Sequence, residues 1–426
     1  MVKLLENKFY TENKAIEKLP LPNKVYIPLS QHTGAACDML DVKSGDIVLR
    51  GQRLAYAQAK VFSPIHASIS GKVTAVQNWP HPALDRCRSV VIESDGGDKA
   101  KEIGPRSKDE IQRLKREDIL RITQEAGIVG LGGAAFPTHI KLDPPQAVDT
   151  LIVNCAECEP YLTADYRIMV EKTEEVMAGI SLAALCLNVK NVIIAIENNK
   201  PEAIEKFSQL HSGGLSVKVR VFETDYPQGG EKQLIKNVLG REVPQGKLPS
   251  NAGVIVQNVA TLFALYEAVH KNKSLYERVV TVTGSIIANP KNLLVRIGTP
   301  ISNLIEYCGI REEPAKIIIG GPMMGVAQHT DMVPVIKSTT GIILLNKKEA
   351  ESLDELPCIR CGACVYHCPQ GLLPCLINLA AIKELWEEAK LYGALDCTEC
   401  GSCSYVCPAK RYLVQSIKRA KLEMVR

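Results

Sequence analysis

No run of 18 uninterrupted apolar residues occurs in the sequence, so no segment is expected to span a bilayer. The N-terminus, MVKLLENKFYTENKAIEK, is charged throughout and has no apolar core of the kind a secretory signal needs. A strong charge of either sign is also lacking. The 51 Lys and Arg against 47 Asp and Glu leave a net charge of +4, which calls for no nucleic-acid partner. Attachment to a membrane through another protein stays open. Apolar and charged fractions of 46% and 23% are those of an ordinary globular protein. A length of 426 residues allows about two to four domains, each with its own core.

Cysteine is what the chain has in quantity. Eight of its fifteen cysteines form two copies of one pattern, Cys358-x2-Cys361-x2-Cys364-x3-Cys368-Pro369 and Cys397-x2-Cys400-x2-Cys403-x3-Cys407-Pro408. This is the bacterial ferredoxin spacing for cubane iron–sulfur clusters. Three thiolates two residues apart let one tight turn grip three irons, while the fourth lies too far along to cap the same cube and crosses to the other. Cys358, Cys361, Cys364 and Cys407 are therefore assigned to one [4Fe–4S] cluster, and Cys397, Cys400, Cys403 and Cys368 to the second. Structural zinc sites and a disulfide framework are the plainer readings, but zinc uses CxxC pairs and four ligands per ion. Ferredoxin-type thiols belong to a reducing compartment, which predicts a cytosolic chain. The other seven, Cys37, Cys87, Cys155, Cys158, Cys186, Cys308 and Cys375, are scattered and read mostly as buried thiols acting as small hydrophobes. Cys375 follows the first quartet by seven residues, near enough to raise the question of contact with a cluster.

Residues 20–97 read as short strands with period-two alternation between Gly, Pro and Ser turns. The segment is similar to the barrel-sandwich fold of lipoyl- and biotinyl-carrier domains. Lys60 stands three residues before Ser63-Pro64, too close to serve as the carrier lysine at a hairpin tip, so a docking module is expected in place of a swinging arm. A charged run from Ser107 to Arg121 opens a helical region. Strand patterns at 151–155, 191–198 and 217–224 then alternate with helical ones at 174–189 and 231–240. Such alternation predicts an α/β sheet of Rossmann type. Residues 277–340 return to β-rich patterning in a strand–helix–strand order resembling a β-grasp ligand-binding module, and helices carry the cysteine quartets. The expected architecture is a multidomain α/β chain: a barrel-sandwich domain over 1–100, a Rossmann-like domain over 101–272, a β-grasp module over 273–345 and a helical two-cluster domain over 346–426. The final RYLVQSIKRAKLEMVR reads as a basic amphipathic helix with a solvated face, or one that docks an acidic partner surface.

A second chemical signal is the loop Gly127-Ile128-Val129-Gly130-Leu131-Gly132-Gly133-Ala134-Ala135-Phe136-Pro137. Its glycines let backbone N–H groups approach a phosphate, although no strand leads directly into it as in the usual dinucleotide fingerprint. Three further segments accompany it: Asn154 to Pro160 after an apolar strand, Tyr226 to Glu231 at the start of a helix, and Gln257 to Thr261 after the apolar run GVIV. Strand ends and helix starts are where open α/β sheets collect anionic ligands. Each segment alone is equally a turn glycine, a helix cap or a strand-end amide.

Taken in this order, the segments resemble the flavin-bearing NADH-oxidising subunit of respiratory complex I. The whole chain is more similar still to the C subunits of Rnf-type electron-transport complexes. The sharpest matches are GLGGAAFPTHIKL (130–142), VNCAECEPYLTADYR (153–167), GGEKQLIKNVLGREVP (229–244) and the two cysteine quartets. The resemblance implies that Gly130, Gly132, Gly133, Lys141, Asn154, Glu157, Tyr226, Gly229, Asn258 and Thr261 contact FMN. It further implies that Phe136 stacks on the nicotinamide dinucleotide, with Glu159 and Glu231 facing it. Ala156, Gly230 and Gln257 depart from the complex I pattern, where acidic residues and an asparagine stand. The family implies electron flow from NADH through FMN and two [4Fe–4S] clusters to a membrane-embedded, ion-translocating partner, with ferredoxin-like subunits in the same complex. The chain would sit peripherally on the cytoplasmic face of the membrane. No side chain is needed as acid or base, so no catalytic residue is assigned. Two rival readings are a soluble flavin/iron–sulfur reductase of cobalamin-reductase type and a non-enzymatic electron wire.

Overall fold

In the computed structural model, residues 2–101, 104–210, 214–351 and 354–425 are described. The N-terminal β domain pairs two small sheets. Strands Lys24–Pro28, Asp85–Ser94, Gly71–His81 and Ile47–Val48 form one, and Met39–Leu40, Arg53–Tyr56 and Ile65–His66 form the other. Alternation explains the packing: in Lys24–Pro28, Val25 and Ile27 face inward while Lys24 and Tyr26 lie half-exposed. Val25, Ile27, Leu54, Ile65, Ile69, Val73, Val90 and Ile92 close the core between the sheets. Lys60 is exposed, on a bend between Arg53–Tyr56 and Ile65–His66.

The first 18 residues do not join that core. Val2 pairs with Tyr226 by two backbone hydrogen bonds, and Ile16–Lys18 runs parallel to Asn292–Leu294 at the edge of another sheet. The segment thus straps the domains together.

The central domain is a parallel sheet ordered Ser216–Phe222, Asn191–Glu197, Thr150–Cys155, Val254–Asn258. The apolar runs of Thr150–Cys155, Asn191–Glu197 and Val254–Asn258 fit strands covered on both faces, whereas the edge strand Ser216–Phe222 alternates Val with Lys218 and Arg220. Helices Arg116–Glu125, Thr173–Leu187 and Val259–Lys271 pack on one face, and Glu231–Leu239 covers the other through Leu234, Ile235 and Val238. Gly179 lets two of these helices touch: a Cβ there would lie 2.0 Å from the Leu262 carbonyl. The chain runs outward from Thr150–Cys155 in one direction and returns to its other side with Val254–Asn258. That reversal creates a crevice at the carboxyl ends of these two strands, where ligands bind in open sheets of this kind.

A six-stranded sheet follows, ordered Ile16–Lys18, Lys291–Arg296, Glu277–Thr283, Gly341–Leu345, Lys316–Ile319, Val326–Gln328, with helix Ile301–Cys308 on its core. The C-terminal region is helical. Helix Leu413–Val425 buries Leu413, Val414, Ile417 and Ala420, and its charges pair inside the domain, Lys418 and Lys421 with Glu399 and Arg419 with Glu384. Among the described residues no helix is long and apolar enough to cross a membrane.

Candidate functional site

The two cysteine quartets adopt the same local backbone. Arg360 and Gly362 have φ of 57° and 76°, and Glu399 and Gly401 have φ of 59° and 81°. Alternating left-handed residues coil each CxxCxxC segment around a point. At the Gly362 and Gly401 positions glycine adopts this conformation without the Cβ penalty. The short helices Ala363–Tyr366 and Ser402–Tyr405 then carry the chain off to the fourth cysteine.

Two cavities result. One is walled by Cys358, Cys361, Cys364 and Cys407, with Cys375 also on its wall. The second is walled by Cys368, Cys397, Cys400 and Cys403. Each cavity thus takes three thiols from one quartet and one from the other. Four thiolates on one zinc at about 2.3 Å must lie within about 4.6 Å of one another. Among the described residues no group of three His, Cys, Asp or Glu converges on a single ion. The donor set fits two polynuclear clusters, one thiolate per iron. Backbone N–H groups of Leu372 and Glu399 reach the Cys368 and Cys397 sulfurs at 3.4 and 3.3 Å. Cys358 and Cys361 of the first set are exposed, whereas Cys400 and Cys403 of the second are buried.

At the crevice of the parallel sheet, Asn154 and Asn258 stand in register on neighbouring strand ends. The glycine loop is closed by Gly130 N–H to Phe136 O at 2.9 Å and Ala135 N–H to Gly130 O at 3.1 Å. The Leu131 N–H donates to Thr261 Oγ1 at 2.9 Å, pinning the loop to helix Val259–Lys271. Gly132 presses on Asn258, for a Cβ would stand 3.2 Å from its Nδ2. Gly132, Gly133 and Ala134 are exposed, and their N–H groups bond no described residue. On the far side of the crevice, Gly229 meets the Asn154 loop: Asn154 Nδ2 donates to Gly229 O at 2.9 Å, and a Cβ on Gly229 would lie 2.9 Å from Ala156 O. The buried Nε2 of Gln257, next to Asn258, also has no acceptor among the described residues. Free donors on a glycine loop at a sheet crevice fit a phosphate-bearing group such as FMN.

The other expected residues are partnered within the protein. Lys141 Nζ and Glu231 Oε1 form an ion pair at 2.6 Å. The Glu157 carboxylate accepts from the Asp165 and Tyr166 N–H groups at the start of helix Ala164–Glu171, and burial raises its pKa above the usual range. The Asn258 Nδ2 donates to Asp165 Oδ2 at 2.6 Å, and its Oδ1 caps its own helix through the Thr261 N–H. Glu159 is held by the Met323 and Met324 N–H groups at 3.1 and 2.9 Å, and burial raises its pKa too. Gly321 is needed there, because a Cβ would lie 2.0 Å from Glu159 Oε2. The Tyr226 hydroxyl donates to the Cys400 carbonyl at 2.7 Å. Phe136 is half-buried on the glycine loop. The structure therefore brings Gly130, Gly132, Asn258 and Thr261 together, and Asn154 with Gly229. Tyr226 and Glu159 instead bridge outward to the second cysteine set and to the six-stranded sheet.

Residues outside the quoted motifs complete the site. The buried Lys8 Nζ donates to the carbonyls of Glu157, Glu159 and Leu162 at 2.7, 3.0 and 2.6 Å, and burial lowers its pKa. It fixes the loop that follows strand Thr150–Cys155 from a point about 150 residues away in sequence. No local pattern marks such a partner. A charged residue in an otherwise unassigned segment was the sole signal.

Comparison with known proteins divides the chain in the same order. Residues 2–97 match the RnfC barrel sandwich hybrid domain and 123–267 the Nuo51 FMN-binding domain. Residues 279–327 match the SLBB domain and 350–408 the 4Fe-4S dicluster domain. Over 98% of its length the chain is 48% identical to the C subunit of the proton-translocating ferredoxin:NAD(+) oxidoreductase complex of Clostridium ljungdahlii, covering 92% of that protein. It is 46% identical, over 95% of its length and 91% of the relative, to the C subunit of the Na(+)-translocating ferredoxin:NAD(+) oxidoreductase complex of Acetobacterium woodii. The C subunit of the ion-translocating oxidoreductase complex of Rhodobacter capsulatus is 43% identical over 87% of the chain and 72% of its own length. Among solved structures, an NAD+-reducing [NiFe]-hydrogenase shares the fold, with a TM-score of 0.50 at 16% identity, over 74% of this chain and 62% of that one.

Proposed function

The chain belongs to the family of C subunits of ion-translocating ferredoxin:NAD(+) oxidoreductase complexes, and from this premise we propose that it conducts electrons between NAD(H) and a membrane-embedded, ion-moving partner. It would do so as a peripheral subunit on the cytoplasmic face. FMN, when bound, supplies the exchange between two-electron hydride chemistry at NAD(H) and one-electron chemistry at the clusters, a conversion that neither reactant makes alone. The protein's own part is to hold, orient and order these groups. Membership over nearly the whole chain sets aside the cobalamin-reductase reading, and a flavin-domain match sets aside the bare wire.

The single observation that carries the proposal is the crevice between Asn154 and Asn258, where the N–H groups of Gly132, Gly133 and Ala134 bond no described residue. These donors would hold the flavin phosphate, with Asn154, Gly229, Asn258 and Thr261 forming the walls. Lys141, its charge balanced by Glu231, would stand at the rim. Cys368, Cys397, Cys400 and Cys403 would hold the cluster nearer the flavin, since the Tyr226 hydroxyl ties that loop to the crevice through the Cys400 carbonyl. Cys358, Cys361, Cys364 and Cys407 would hold the outer one.

The outer cavity is rimmed by exposed apolar side chains, Ile359, Leu373, Leu376 and Leu379, beside the exposed Cys358 and Cys361. An apolar rim around a redox site supports docking of another subunit of the same complex there, which would bring its own cofactor close. Reconstitution with iron, sulfide and FMN tests the whole reading. It predicts one flavin and about eight irons per chain. Iron without flavin would contradict the crevice assignment.

A further inference from the structure

Five thiols, not four, wall the first cavity. Cys375 opens helix Pro374–Ile382 directly after Pro374, and it lines the cavity with Cys358, Cys361, Cys364 and Cys407. It packs in one cluster with Cys364 and Cys407, the ligands contributed by the two different quartets. Among the described residues the second cavity has four cysteines on its wall and no fifth. The two sites, built from the same cysteine pattern, therefore differ by one sulfur.

We propose that Cys375 is a reserve thiol of the first iron–sulfur site, free beside Cys364 in the intact protein and able to ligate the same iron when the Cys364 thiolate is lost. The substitution is a ligand exchange. Cys375 gives its thiol proton to solvent as its sulfur binds iron, and a displaced Cys364 takes up a proton as its own bond breaks. No electron is transferred. The inference rests on the reading that this cavity holds a cluster. Reserve ligation would suit an outer site whose other thiols, Cys358 and Cys361, are exposed to oxidants.

The test is the iron and acid-labile sulfide content of anaerobically reconstituted parent, C364A, C375A and C364A/C375A proteins. About eight irons are predicted for the parent and both single variants, and about four for the double variant. C364A falling to the double variant's value would overturn the proposal, as would loss of iron in C375A, which would make Cys375 an obligatory ligand. A parent that itself holds about four irons would refute the cluster reading instead. Should C364A fail to fold, the C375A spectra decide. A changed electron paramagnetic resonance signal for the first cluster alone supports contact with Cys375, and signals identical to the parent's for both clusters overturn it.

Discussion

The Tyr226 hydroxyl donates a 2.7 Å hydrogen bond to the backbone carbonyl of Cys400, a residue 174 positions away. The tyrosine is buried, its backbone is paired with Val2, and burial raises the pKa of its phenol far above the ordinary value. This bond couples the flavin crevice to the loop of the second cysteine set.

Tyr226→Phe keeps the ring and removes the donor, leaving the Cys400 carbonyl unpaired at a cost of about 1–3 kcal/mol. Iron and flavin contents should match the parent's. Stopped-flow traces should show slower cluster bleaching by NADH with the flavin phase unchanged. Equal slowing of both phases would show that the bond does not act between the two sites.

Gly132→Val places a side chain against Asn258, where even a Cβ stands 3.2 Å from Nδ2. Overpacking of about 1–3 kcal/mol corresponds to a roughly 10- to 100-fold loss of flavin affinity. Iron content should be untouched. Flavin titration by fluorescence quenching checks the first statement, and a colorimetric iron assay the second.

Lys337 is a pH probe built into the domain junction. Its buried Nζ donates to Pro64 O at 2.8 Å and Gly127 O at 2.7 Å, joining the β domain to the flavin domain, and burial pushes its pKa down to about 7. The nearby His32 and His66 are pushed to about 4 and about 3 and stay neutral from pH 7 to 10, whereas Cys37, pushed up to about 11, ionises first in the unfolded chain and opposes the lysine over that range. The unfolded chain holds the lysine proton up to about pH 10.4. Between those values the unfolded chain keeps this lysine's proton and the folded one does not, so the lysine's own contribution to stability rises with pH by up to roughly 1.4 kcal/mol per unit. Lys337→Met should lower the slope of denaturant midpoint against pH, measured from pH 7 to 10, relative to the parent. An unchanged slope would mean that the lysine keeps its proton when buried.

Ile359→Glu with Leu379→Glu places charge on the rim of the outer cavity. NADH-driven reduction of a small soluble acceptor should be retained, while electron delivery to the assembled complex should fall at least several-fold. Parallel loss of both activities would argue against a docking face.

The cysteines that wall the two cavities were legible because each set of spacings lies within a dozen residues and the chemistry admits few alternatives. The crevice was legible in part: Gly132, Asn154 and Asn258 stand at strand ends and a glycine loop, features that local pattern reveals. What escaped was long-range. Ile16–Lys18 reads as neither helix nor strand, yet Asn292–Leu294 pairs it into a distant sheet. Lys8 and Cys400 meet the site only through tertiary contact. Lys141 and Glu231, implied by resemblance to serve flavin and dinucleotide separately, form one ion pair in the structure. The basic C-terminal helix keeps an exposed face, and its pairing with Glu399 and Glu384 of the same domain is a tertiary detail that no local pattern marks.

The most direct test of the central claim is an anaerobic absorbance titration with NADH on protein reconstituted with iron, sulfide and FMN. The account predicts bleaching of the flavin band together with the broad cluster absorbance. Clusters that are present, reducible by dithionite and unmoved by NADH would contradict it.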